Sequence, residues 1–303
     1  MSNTHLYTYQ GRLAVTPPFD FTKSLQFLGL FAPTQYEQTA AGRVLTKALR
    51  LNEHTLVFEV MADGSGDESQ MSYTLHTSQP LDAATQHAAA ERISFFLSLS
   101  DDLEPFYELG RKDRLFAPII EQLYGYHQVK FLTPFENACW AVLSQRTPIP
   151  AARKLKQTLA ERWGGSVSLK QEVYWAFPEP VQLVAATHSE LADVLSNERK
   201  AAYIQAVSRA FAEVDEIWLR RAPYVEVETW LRSINGIGPW SAAFVLLRGL
   251  GRMERVPTEE RLVQAAAQIY GSGKALTHAD VERLAAAYGD YQGYWAHYLR
   301  VAS

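Results

Sequence analysis

An α+β lobe followed by an all-α region is the fold predicted by three features of the sequence. Between Leu6 and about Leu99, short runs with two-residue alternation interleave with only two helical stretches. From Pro105 onward the strand pattern vanishes and apolar residues recur at the helical period. Charge divides in the same way. Residues 1–110 hold 6 of the 29 Lys+Arg but 13 of the 33 Asp+Glu, which leaves 23 basic against 20 acidic for the rest, so a polyanion contact belongs to the later part.

In the first lobe, Tyr7–Val15 alternates and stops at Pro17-Pro18, and Asp20 or Thr22 can cap a helix through Ser24–Phe31. Arg43–Leu51, Thr55–Met61 and Met71–Thr77 read as strands, with Ala62-Asp63-Gly64-Ser65-Gly66-Asp67 as a hairpin loop. A second helix, Ala83–Leu97, takes Asp82 as its cap. The expected domains are 1–104, a lobe with an antiparallel sheet, and 105–303, all helical. The expected helices there are Leu115–Tyr124, Pro134–Arg146, Pro150–Trp163, Pro180–Ala186, Ser189–Leu195, Glu198–Glu213, Val225–Ser233, Pro239–Gly249, Glu260–Tyr270, His278–Tyr288 and Tyr294–Val301.

Composition narrows the function. Hydrophobic residues make up 47% of the 303, enough for a large core and too many for a disordered chain. A single cysteine, Cys139, rules out an internal disulfide framework and any four-cysteine zinc or iron–sulfur site, and fits a reducing, cytoplasmic setting. The eight histidines are scattered without metal-ligand spacing. The start of the chain lacks a signal-peptide pattern, and the apolar run Ala242–Leu247 stops at Arg248, so no membrane span is expected.

The most informative segment is Leu231–Phe244, in which Asn235-Gly236-Ile237-Gly238-Pro239-Trp240-Ser241 joins an apolar helix end to a new helix with Pro at its first position. Such a turn lets backbone approach a ligand closely, and the amides and dipole of the new helix suit a phosphate. A phosphate grip of this kind reads the nucleic-acid backbone and not its sequence. Read alone, the same turn is also an ordinary helix corner, and Trp240 and Phe244, four apart on one face, are also ordinary core.

Together with the run Val256-Pro257-Thr258-Glu259-Glu260, this segment resembles the helix-hairpin-helix DNA glycosylase superfamily, most of all the 3-methyladenine DNA glycosylase II class. In that family, Pro and one further residue precede a catalytic Asp. Here the acid is a glutamate. Counting from Pro257 points to Glu259, whereas aligning the apolar Leu262-Val263 with the family's helix points to Glu260. The resemblance extends to Thr133–Arg146, where Gln145 and Arg146 match the family's DNA-facing Gln and stack-filling wedge. The tail Gly289–Trp295 is similar to a degraded form of its Pro-Trp-Arg-Ser-Tyr segment, with Tyr291 at the place of a pocket tryptophan. The first lobe looks like the family's TBP-like lobe, with Phe27 facing the pocket.

The resemblance implies a monofunctional DNA glycosylase of base excision repair. Double-stranded DNA with damaged bases would be its partner, alkylated or otherwise damaged purines its substrates, and a monomer its expected state. Gly236, Ile237, Gly238 and Ser241 would grip phosphate, Gln145 would contact DNA, Arg146 would fill the vacated stack, and Trp240, Phe244, Tyr291 and Phe27 would line the base pocket. Aromatic faces attract cationic alkylated purines by about 0.5–2 kcal/mol each. No cofactor is implied beyond a monovalent cation, Na or K, at the backbone carbonyls of Arg232, Ile234 and Ile237. Trp240 stands where bifunctional relatives carry a Schiff-base lysine, so lyase activity is not expected. Because the acid is Glu, the alternative of a non-catalytic damage-binding protein stays open, as does a helical interaction module without a DNA role.

Overall fold

The computed structural model describes residues 6–35, 37–62, 70–257 and 259–302. The first lobe is built on a five-stranded antiparallel sheet of β1 (Tyr7–Ala14), β2 (Gln38–Ala41), β3 (Val44–Leu51), β4 (His54–Ala62) and β5 (Gln70–Thr77), in the order β1-β5-β4-β3-β2. Four strands follow the predicted bounds to within one residue at either end, and β2 is an addition too short to read from alternation. The β3–β4 hairpin turns on Asn52 and Glu53, both at positive φ, and the Glu179 carboxylate accepts both amides at 3.0 and 3.1 Å. The 62–67 loop falls, beyond Ala62, outside the described residues, but Ala62 pairs with Met71 as a hairpin requires.

Asp20, not Thr22, caps the first helix, which runs Phe21–Leu30; its carboxylate accepts the Thr22 amide at 2.9 Å. The second helix is Ala83–Leu97 with Asp82 as its cap, accepting the Thr85 amide at 2.8 Å. These helices cover one face of the sheet and bury Leu25, Leu28, Ile93 and Phe96 against Leu56, Phe58 and Leu75.

The region after Pro105 is mostly helical, with one correction. Ser166–Leu169 (β6) and Glu172–Trp175 (β7) form a two-stranded hairpin where strands were expected to be absent. Val167 and Leu169 point inward and pack with Ala48 and Val57 on the other face of the large sheet, so this four-residue alternation is stabilised by what it covers. Two short helices, Glu104–Lys112 and Glu216–Arg221, were also not anticipated. The expected helix Pro134–Arg146 ends at Leu143. Every residue of Pro134–Leu143 is buried, which makes this helix the central beam against which the hairpin helices pack.

The two parts are tied by buried charge. Lys156 donates to Glu136 at 2.5 Å and to Glu37 at 2.6 and 2.8 Å, joining the helical region to the segment before β2.

Candidate functional site

The hairpin is fixed from both sides. Helix Tyr224–Ser233 closes with the Ile234 amide on the Leu231 carbonyl (3.1 Å), and the Ile237 amide then turns back to the Ile234 carbonyl (3.0 Å). Gly236 has φ +97, and a Cβ there would lie 2.5 Å from the Tyr203 ring, so this position admits glycine alone. Gly238, the N-cap residue of helix Pro239–Phe244, has open space where a Cβ would stand. The Gln145 amide donates to the Gly236 carbonyl (2.8 Å) and reaches the Ser241 hydroxyl (3.4 Å). Gln145, Gly236 and Ser241 are thus brought together, with Gln145 turned toward the hairpin. Ile237 is a correction in part: its side chain is buried and its amide is spent inside the turn, so it has no free donor to offer a phosphate.

At the end of helix Pro134–Leu143, the Lys200 ammonium donates to the carbonyls of Val142, Leu143 and Gln145 at 2.8 to 3.1 Å. With that end locked, Arg146 takes the left-handed conformation (φ +52) and its side chain is exposed. The backbone therefore presents Arg146 outward from a rigid support.

Beside the hairpin lies a cleft of about 660 Å³. Helix Pro239–Phe244 lines it with Trp240 and Phe244, whose rings stack at 5.2 Å and 8°. The helix continues into a π-type turn, Val245–Gly249, that turns Arg248 inward. The first lobe supplies Phe27 and Phe31, stacked at 4.9 Å. The C-terminal helix, Gln292–Ala302, supplies His297 and Arg300. Tyr291 is a correction. Its ring packs 6.0 Å from Phe106 and its hydroxyl donates to the Asp102 carbonyl, because the short turn Gly289–Tyr291 faces the core under helix Glu104–Lys112 rather than the cleft.

The two acids part company. Glu259 is the N-cap residue of helix Glu260–Tyr270, in extended conformation; it lines the cleft and its carboxylate is ion-paired with Arg300. Glu260 is exposed on the first turn. The intervening Thr258 lies outside the described residues.

Phe31, Arg248, His297 and Arg300 are among the cleft residues that escaped sequence reading. Arg248 did carry a signal, as a lone charge closing an apolar helical run. Burial lowers its pKa to about 9, and burial together with Arg248 and Arg300 pushes the His297 imidazole well below its ordinary value, so it is neutral. Among the described residues, no group of His, Cys, Asp and Glu could hold a metal ion, and no helix is long and apolar enough to cross a membrane.

Residues 139–288, which contain the hairpin, Trp240, Phe244, Arg248 and Glu259, match the family model described as HhH-GPD superfamily base excision DNA repair protein. The chain belongs to the HhH-GPD superfamily. This HhH-GPD protein is 26% identical over 259 residues to a DNA-3-methyladenine glycosylase of Bacillus subtilis, covering 84% of the chain and 85% of that protein. Its fold is shared with the 3-methyladenine DNA-glycosylase from Archaeoglobus fulgidus (TM-score 0.79, 18% identity, 96% and 97% of the two chains covered). It is shared as well with the apo 8-oxoguanine glycosylase/lyase of Clostridium acetobutylicum (TM-score 0.69, 15% identity, 98% and 97% covered).

Proposed function

We propose that this HhH-GPD protein is a monofunctional DNA glycosylase that flips a damaged purine nucleotide out of duplex DNA and hydrolyses its N-glycosidic bond. The observation that carries this reading is the placement of Glu259 in an aromatic-walled cleft beside the hairpin. Such an enzyme needs a phosphate clamp, a plug for the vacated stack and a pocket for the base. Gly238 and the following helix N-terminus would serve as the clamp, Arg146 as the plug, and Phe27, Trp240 and Phe244 as the pocket.

Bond cleavage builds positive charge on the sugar. The Glu259 carboxylate would stabilise that charge and orient the attacking water. Glutamate reaches one methylene further than aspartate, and a misplacement of about 1 Å can cost roughly 10²-fold. Arg300 holds the longer side chain by its carboxylate, which favours a productive position.

The carbonyls of Arg232, Ile234 and Ile237 are neutral oxygen donors on the hairpin, a set suited to Na or K. The Ile234 oxygen accepts one hydrogen bond and keeps a lone pair for a cation. A cation there would add positive charge near the bound phosphate. We place the protein, as a monomer, in the cytoplasm with duplex DNA as its partner; the lone Cys139 is buried and unpaired, as suits a reducing setting.

The deciding experiment is base release from methylated, deaminated and oxidised duplex DNA under single-turnover conditions. Release of a damaged base supports the enzyme. Tight binding of damaged duplex without release selects the second reading, a non-catalytic damage-binding protein, in which the Glu259 carboxylate stays engaged by Arg300.

A further inference from the structure

One turn of helix Glu198–Glu213 touches both the wedge segment and the hairpin. Ala201, Ile204 and Val207 are buried in the core, and the Asn197 side chain accepts the Lys200 amide at 2.9 Å, so this turn is held both by packing and by its cap. Lys200 and Tyr203, three apart, share a face of it. Lys200 is half-buried, and among the described residues no carboxylate pairs with it. Its ammonium has three donors, and the carbonyls of Val142, Leu143 and Gln145 accept them at 3.1, 2.8 and 2.9 Å. No donor is left for a DNA phosphate. Whatever Lys200 does to bound DNA therefore passes through the backbone that it holds.

Gln145 is the joint between the two elements. Its carbonyl accepts Lys200 and also the Thr147 hydroxyl (3.0 Å), while its side-chain amide donates to the Gly236 carbonyl (2.8 Å). The next residue, Arg146, stands at φ +52, a conformation that a non-glycine residue keeps only where its neighbours fix it. On the hairpin side, Tyr203 lies against Gly236, so close that a Cβ there would stand 2.5 Å from the ring. The contacts close a circuit. It runs from Lys200 to Gln145, from Gln145 to Gly236, from Gly236 to Tyr203, and back along a single helical turn.

We propose that Lys200 and Tyr203 are positioning residues that register the Arg146 wedge to the hairpin clamp, so that gripping a phosphate and filling the vacated stack occur as one event. The inference rests on the glycosylase reading and deepens it, since neither residue lines the base cleft. A clamp on the backbone fixes where the protein sits on the duplex, and the gap left by a flipped nucleotide then lies at a set distance from it. The plug must arrive at that distance, because a misplacement of about 1 Å is enough to cost a site most of its efficiency. Helix Pro134–Leu143 has ended before Arg146, so its own hydrogen bonds do not set the spacing. The stiff turn of the neighbouring helix does.

The probes are two duplexes with 2-aminopurine beside a 7-methylguanine or a hypoxanthine, each lesion on a 2′-fluoroarabino sugar, which resists cleavage because fluorine disfavours the sugar cation. At saturating folded protein, Lys200→Met should give about half or less of the wild-type rise in fluorescence, with affinity for undamaged duplex within about 3-fold of wild type. Lys200→Arg, which keeps charge and donors, should restore most of the rise. In an Arg146→Ala background, Lys200→Met should remove nothing further, because it acts through that side chain. Tyr203→Ala takes away the ring against Gly236 and should weaken binding to undamaged duplex as well as the rise. A lysine that only stabilised the fold would lower the melting temperature and leave the rise of folded, saturating protein intact, and that result would overturn the proposal. So would a further loss in the Arg146→Ala background, no rescue by Lys200→Arg, or unchanged duplex affinity in Tyr203→Ala. Should Lys200→Met fail to fold, Lys200→Gln, too short to serve all three carbonyls, takes its place with the same expected loss. A wild-type protein that brightens neither duplex overturns the wedge and its positioning together. Base release from the unfluorinated duplexes separates the readings: a bright wild type that releases no base sinks catalysis alone, and base release with Lys200→Met as bright as wild type sinks the Lys200 assignment alone.

Discussion

The carboxylate of Glu259 is ion-paired with the guanidinium of Arg300, 41 residues further along the chain. The pair joins the first turn after the hairpin region to the C-terminal helix across the cleft, so the position of the acid depends on a residue outside its own motif. Both side chains are mostly buried, at 18% exposure for Arg300 and 25% for Glu259, which gives the pair more weight than a surface bridge.

Glu259→Gln keeps size and hydrogen bonding but deletes the charge that would face the sugar cation. Base release should fall about 10²-fold or more with duplex affinity retained. Glu260→Gln, exposed and outside the cleft, should release base at close to the wild-type rate. Glu259→Asp tests the geometry: a slower rate would show that Arg300 has set the cleft for the longer acid, and a faster one that glutamate is a poor substitute. Single-turnover kinetics of the three variants check all of this.

The two hairpin glycines should respond differently. Gly236→Ala puts a methyl into Tyr203 at positive φ and should destabilise the fold by about 1–3 kcal/mol, read from urea melts. Gly238→Asp has room for its side chain and should leave stability nearly unchanged while its charge weakens duplex binding and reduces the salt dependence. Unaltered affinity and salt slope for a folded Gly238→Asp would reject the clamp.

Arg146→Ala should bind duplex but flip less completely. A 2-aminopurine beside the lesion should brighten less at saturating variant than at saturating wild type. Matching signals would remove the wedge role.

Lys156 is 1% exposed and serves Glu136 and Glu37 together. Lys156→Met should cost about 3–5 kcal/mol, because it strands the buried Glu136 carboxylate and leaves Glu37 with Lys47 alone. The pH dependence follows from the same cluster. Burial opposes ionisation of Glu37, but Lys156 and Lys47 hold its pKa below the ordinary 4.5. A depressed acid contributes stability that is complete above pH 4.5 and is lost as pH falls through the lowered value. Burial likewise opposes the Lys156 charge, yet Glu136 and Glu37 raise its pKa above 10.5, so that contribution is complete below pH 10.5 and lost above it. Thermal melts across pH should show a plateau between these limits, with the acid limb flattened in Lys156→Met.

Local chemistry was enough to place the sheet, the capped helices and the hairpin. Asp82 ahead of Ala83, Gly236 and Gly238 around Ile237, and Pro239 at a helix start each act through their own backbone neighbours, so their signals survive in one dimension. The choice between Glu259 and Glu260 was not of that kind. Both lie at the same helix start, and only the packing of the helix onto the C-terminal segment turns Glu259 toward Arg300 and leaves Glu260 in solvent. The β6–β7 hairpin was hidden for a similar reason, since four residues of alternation gain their stability from Ala48 and Val57 on a distant sheet. Tyr291 matched a motif position, yet the turn that carries it packs on Phe106, and the cleft is lined instead by His297 and Arg300, six and nine residues later. Arg248 shows the limit most directly. An arginine at the end of an apolar run reads as a boundary, and it becomes a buried, unmatched fork only because Phe27 and Phe31 arrive from the other lobe to cover it.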